Sequence, residues 1–141
     1  MRPRLPTTPL LTAAMASLAL LALQPAAAAP QGDAARGRAL LSQRQQAGCI
    51  LCHEIPGLPI GGGLGPPLIG LGQRYSSDEL FLRIADARRA NPDTIMPPYL
   101  STEGLHNVAR AQAGQTLLSA QALADIVSYL LAPPAAPRDR P

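Results

Sequence analysis

Cys49-Ile50-Leu51-Cys52-His53 holds the only two cysteines of the chain, with a histidine directly after the second. Thiols three residues apart can both reach one flat ligand. The adjacent imidazole then points at the centre of that ligand. C-x-x-C-H is the spacing that attaches haem through two thioethers, with the histidine on the iron. Other uses of paired cysteines compete with this. A redox disulfide expects a βαβ context, and no strand pattern surrounds the motif. A zinc centre needs about four ligands, and His106 is the one further strong candidate. A structural disulfide is compatible with an exported chain. Motif and compartment agree best on one covalent haem c, held by Cys49 and Cys52 with His53 as a metal ligand.

An electron-carrying haem iron usually takes a second protein ligand. Met96 and His106 are the candidates beyond the N-terminal leader. Met96 lies in Asn91-Pro92-Asp93-Thr94-Ile95-Met96-Pro97-Pro98-Tyr99, a stiff loop flanked by prolines. A neutral, soft thioether favours ferrous iron and raises the potential. The competing role for Met96 is gap-filling in the core, an odd one for a Met held between prolines, so Met96 is the expected second ligand of the iron; His106 reads as a surface histidine on a short helix and is the fallback. Ligating histidines usually donate their second N–H to an acceptor, and the Pro66 carbonyl is the candidate acceptor for His53. The glycines of Gly61-Gly62-Gly63-Leu64-Gly65 let backbone run close to a flat ligand. Arg74 is placed to pair with a haem propionate; the alternative is a solvated surface charge. Tyr75 and Tyr99 either donate to a propionate or pack.

Three helical stretches must position these groups. The first is predicted from Ala34 to Ala47, with Asp33 as N-cap, Gly48 as stop, and a thin stripe of Ala35, Ala39 and Leu40. Gly37 inside it disfavours a helix unless close packing rewards the missing side chain. The second runs from Ser77 to Ala90, with capping-box spacing at Ser76 and Glu79. Its face is Leu80, Ile84 and Ala87, and Asn91-Pro92 ends it. The third is capped by Ser119 and stopped by Pro133. Leu123, Ile126, Val127, Leu130 and Leu131 form its amphipathic stripe. A fourth helix over Leu105 to Ala113 is bracketed by Gly104 and Gly114. No stretch alternates like a strand, so the fold class is all-α, small and loop-rich.

The ends read differently. Arg2 and Arg4 precede an uncharged apolar run from Leu10 to Leu23, and Ala26-Ala27-Ala28 offers a cleavage site. This predicts a secretory signal peptide over residues 1–28 and a periplasmic destination. The run is short against the roughly 20 residues of a membrane span, although an uncleaved anchor is the rival. Removing the leader lowers the formal charge from +3 to about +1. With no Lys, no basic stripe and no aromatic platform, nucleic-acid binding finds no support. Residues 29–132 form the predicted domain. It has no Trp and one Phe, so an apolar prosthetic group would supply core that the chain lacks. Residues 133–141 form a Pro-rich tail expected to be disordered.

Taken with Gly65-Pro66-Pro67-Leu68, the Met96-Pro97 loop and the last helix, the haem motif makes the chain resemble the class I cytochromes c over most of its predicted domain. That likeness implies first and last helices crossing at close range, with Gly37 against the last helix near Tyr129. More narrowly, three stretches resemble the SoxX family of sulfur-oxidation cytochromes: Cys49 to Pro59, Gly65 to Gly70, and above all Asn91 to Tyr99. The resemblance implies a heterodimer with a SoxA-like haem subunit. It further implies oxidative conjugation of thiosulfate to a cysteine of a SoxYZ-like carrier, an L-cysteine S-thiosulfotransferase activity. The catalytic centre would lie on the partner. This chain would contribute no catalytic residue and would pass electrons towards an acceptor cytochrome. Ile50, Leu51, Leu58, Ile60 and Tyr99 are expected to form the dry patch facing that partner. The alternative function is a free, diffusible periplasmic cytochrome c shuttling electrons between respiratory complexes.

Overall fold

A computed structural model of the protein describes residues 30–59 and 61–132. The expected leader and Pro-rich tail lie outside them. Three α-helices make the frame: α1 (Ala34–Leu41), α2 (Ser77–Ala85) and α3 (Ala120–Leu131). Short 3-10 turns occur at Cys49–Leu51, Leu71–Gln73, Ala87–Arg89 and Arg110–Gln112. Among the described residues there is no strand, and no helix long and apolar enough to cross a membrane. The all-α expectation holds.

α1 starts where predicted, because the Asp33 carboxylate accepts from the Arg36 N–H at 2.9 Å. It stops at Leu41, six residues before the predicted end. There the Ser42 hydroxyl donates back to the Arg38 carbonyl at 2.8 Å, and the Gln43 N–H closes a tight bond to the Leu40 carbonyl at 3.0 Å. Such local bonds compete with helix propagation. Of the predicted stripe only Leu40 packs against the core. Ala35 and Ala39 are exposed, whereas Gly37 and Leu41, four residues apart, are buried. A small helix crossing at close range buries its smallest residue rather than an alanine stripe.

That crossing is made on α3. A side chain at residue 37 would strike the Asp125 carbonyl oxygen, so only glycine fits. Gly37 therefore meets Asp125 and Ile126, one turn before the expected Tyr129. The Asp125 carboxylate sets this register. It is 3% exposed and accepts from the Asp33 N–H at 2.8 Å, from Arg36 Nε at 2.8 Å and Nη2 at 2.9 Å, and from Gln121 Nε2 at 2.9 Å. Those bonds, the Arg36 pair foremost, hold its pKa down to about 2. Tyr129 instead donates to the Pro56 carbonyl at 2.7 Å.

α2 carries the full capping box: the Glu79 N–H reaches Ser76 Oγ, and the Ser76 N–H reaches the Glu79 carboxylate. Leu80, Ile84 and Ala87 are buried as predicted. The α-helix ends at Ala85, short of Ala90, because Asp86 turns extended (φ −151°, ψ 93°) and its carboxylate takes three N–H groups of Arg88. α3 follows its prediction, with Ser119 as cap and Leu123, Ile126, Val127 and Leu130 buried. The fourth helix is absent apart from the turn at Arg110–Gln112. Gly104, Asn107 and Gly114 adopt left-handed φ of 65°, 59° and 75°, and residues 102–117 are exposed throughout. A segment with no apolar face to bury has no tertiary reason to become a helix.

Candidate haem site

Gly48 enters the left-handed region at φ 65°, and the chain then closes one tight turn. The N–H groups of Cys52 and His53 both reach the Cys49 carbonyl, at 3.2 and 2.9 Å. Cys49, Cys52 and His53 come from that turn, and all three line one cavity of about 600 Å³. The glycine-rich loop lies back on the motif through three backbone bonds: Gly62 to Ile50 at 2.9 Å, Gly65 to Cys52 at 2.7 Å, and Leu68 to Glu54 at 2.8 Å. Side chains at 61 and 62 would hit the backbone of residues 51–54, and one at 65 would hit the His53 ring. The glycines thus admit backbone and imidazole, where the sequence suggested approach to the flat ligand itself.

His53 Nδ1 lies 2.8 Å from the Pro66 carbonyl oxygen, the acceptor nominated from sequence. A carbonyl can only accept, so Nδ1 carries the proton and Nε2 keeps the lone pair that a metal needs. Of the two candidate distal ligands, Met96 lines the cavity half-buried, and its N–H is held by Thr94 Oγ1 at 3.2 Å. His106 sits in the exposed 102–117 segment and does not line it. Leu71, Leu80, Ile84, Ile126 and Leu130 supply apolar wall from the helices.

Tyr99 is 5% exposed and donates to the Ala47 carbonyl at 2.7 Å, so it packs. Its oxygen is 4.0 Å from Cys49 Sγ. Burial, then the neighbouring thiol, raises the phenol pKa above its ordinary range. Burial likewise pushes the Cys49 thiol up. In the attached protein these Sγ atoms stand for thioether sulfurs, which carry no proton. Arg74 lines the cavity, donates to the Ile69 carbonyl at 3.0 Å, and lies over Tyr75.

The patch proposed for a partner changes membership. Tyr99 is buried and leaves it. Ile50 and Leu58 are partly buried against the core, Leu51 is half exposed, and Ile60 lies outside the described residues. One important residue escaped the sequence reading: Asp125, visible as a lone acid inside an apolar helix stripe.

Two thiols, an imidazole on a carbonyl, a thioether and an apolar cavity are the donors and walls that a covalent haem requires. The sequence model of the family described as Cytochrome c matches residues 34–132. The chain belongs to the cytochrome c family, and its helical fold is that of a class I cytochrome c. The crystal structure of SoxXA from P. pantotrophus contains a chain of the same fold. It is 25% identical, with a TM-score of 0.63 over 72% of this chain and 81% of that one. No curated protein matches the chain. The protein is a SoxX-like class I cytochrome c with one covalent haem c, at which Cys49 and Cys52 fit the attachment motif. When bound, that group supplies a one-electron redox centre, so the function is electron transfer.

Proposed function

We propose that this protein is the electron-transfer subunit of a SoxAX-like complex in the periplasm. The observation that carries the reading is the likeness to a chain of SoxXA at 25% identity over most of both chains. The Asn91 to Tyr99 stretch supports it, because Asn91, Thr94, Ile95, Met96 and Pro97 all line the haem cavity. In this reading His53 and Met96 are the axial ligands. Both cysteines serve the haem and both axial positions are filled, so no thiol or open site remains for a sulfur substrate. The chemistry then belongs to a SoxA-like partner. Conjugation joins thiosulfate to a carrier thiol as R–S–S–SO3⁻ and releases one proton and two electrons. This chain relays those electrons singly to an acceptor cytochrome. The test mixes the haem-loaded protein with its SoxA-like partner and the SoxYZ-like carrier. Size exclusion should show a one-to-one complex, and thiosulfate with an electron acceptor should modify the carrier only with both cytochromes present. Full modification by the partner alone, with no complex at micromolar concentration, would leave a diffusible carrier as the better account.

A further inference from the structure

We propose that Tyr99 is a positioning residue for the distal ligand: its hydroxyl ties the Met96 loop to the haem-attachment turn and so holds the Met96 thioether at the iron. The inference rests on Met96 as an axial ligand and is independent of any partner. A methionine side chain has three rotatable bonds and no charge. Its sulfur stays in place only if the backbone that carries it is fixed. On the N-terminal side of Met96 the bonds are local or run to the end of α2. The Asn91 N–H reaches the Ala87 carbonyl at 3.0 Å, the Thr94 N–H reaches the Asn91 carbonyl at 3.1 Å, and the Met96 N–H reaches Thr94 Oγ1 at 3.2 Å. On the C-terminal side the Leu100 N–H reaches the Ala85 carbonyl at 2.9 Å, again at the end of α2. Both backbone ends of the loop are therefore fastened to one helix end, and neither is fastened to the turn that carries His53.

Tyr99 supplies the missing link. Its hydroxyl donates to the Ala47 carbonyl at 2.7 Å, and both residues are buried. Ala47 stands two residues before Cys49, at the entry to the turn that carries Cys49, Cys52 and His53. Among the described residues, the Tyr99 hydroxyl makes the only hydrogen bonds between residues 91–100 and residues 44–59. A buried pair of this kind stays closed, because opening it leaves the carbonyl unpaired away from water. Pro97 and Pro98 connect the anchor to the ligand. Each fixes φ at about −65°, so the arm from Tyr99 to Met96 has few soft angles. The position of the hydroxyl is thereby passed on to the thioether. Space-filling alone would be served by a phenylalanine, whereas a buried hydroxyl is worth its desolvation only when it bonds.

The test titrates the ferric, haem-loaded full chain with imidazole, which competes with Met96 for the iron, and reads loss of the near-infrared sulfur-to-iron band. Wild type is compared with Tyr99→Phe, which keeps the ring and removes only the hydroxyl. A second variant, Pro97→Gly, keeps the hydroxyl and loosens the arm at an exposed position. Asp125→Asn is the control, since it weakens the crossing of α1 and α3 and touches neither end of the Tyr99 bond. Tyr99→Phe should bind imidazole about tenfold more tightly than wild type, which corresponds to losing roughly one hydrogen bond's hold on the competing ligand. Pro97→Gly should shift the same way, and Asp125→Asn should match wild type. Wild-type affinity in a folded Tyr99→Phe, or in Pro97→Gly if the first does not fold, makes Tyr99 a packing residue and overturns the proposal. An equal gain in Asp125→Asn would mean that the hold on Met96 follows overall stability, and the proposal is again wrong. Absence of the band from wild type itself would overturn the assignment of Met96 as ligand, and this proposal with it.

Discussion

Gly65→Ala should damage the site in a way that its neighbour Gly63→Ala does not. A Cβ at residue 65 would stand 2.7 Å from His53 Nδ1 and 3.0 Å from Nε2, against ordinary contact from 3.4 Å. The ring cannot simply swing away. Its backbone N–H is tied to the Cys49 carbonyl at 2.9 Å, and Nδ1 is tied to Pro66 at 2.8 Å. Pro66 is the next residue, so moving the loop outward also withdraws the acceptor that orients the ring. Overpacking of this kind costs about 1–3 kcal/mol. Loss of the histidine hydrogen bond adds about 1 kcal/mol. A total near 3 kcal/mol lowers Tm by about 15 °C in a domain of this size, yet leaves a protein of ordinary stability folded. Thermal denaturation of the haem-loaded variants, followed at the Soret band, measures it. The potential should rise as well, because an imidazole that no longer donates to a carbonyl is a poorer base towards the iron. Nothing lies within 4 Å of a Cβ at Gly63, so Gly63→Ala should stay within about 0.5 kcal/mol of wild type. If the two variants melt together, the imidazole is not packed against the Gly65 backbone and the reasoning fails.

Met96→Ala should abolish the near-infrared sulfur-to-iron band of the ferric protein and lower the potential, while His106→Ala leaves both unchanged; the opposite pattern would exchange the ligands. Asp125 titrates at about 2, below the ordinary carboxylate value, so it adds stability that is present above about pH 4 and lost as pH falls through about 2. Asp125→Asn should therefore remove at most about 2 kcal/mol at neutral pH and flatten the acid limb of stability, read by urea midpoints across pH. Tyr99→Phe strands the buried Ala47 carbonyl and should cost about 1–3 kcal/mol, visible as a lower denaturant midpoint at unchanged slope.

Much of this protein is local chemistry, and local chemistry is legible in one dimension. The haem motif depends on a spacing of three residues. The Ser76–Glu79 box, the Ser119 cap and the α3 stripe each lie within one or two helical turns. The Pro66 acceptor follows from what a ligating histidine needs and from the loop nearest to it. The Pro-flanked loop favours Met96 over His106 in the sequence, and in the fold Met96 lines the cavity while His106 sits in the exposed 102–117 segment. The turn at which Gly37 meets α3 was undetermined by pattern. A helix offers several equivalent turns, and the three hydrogen bonds from Asp33 and Arg36 to Asp125 select one of them. Tyr99 shows the same limit. A phenol is amphipathic, so its type does not say whether it packs or faces a ligand. Ala47, 52 residues away in sequence, decides it. Long-range partners of this kind come together only when the chain folds, which is why the sequence specifies the cofactor and its attachment while the tertiary structure settles the helix register and which side chains reach the cavity.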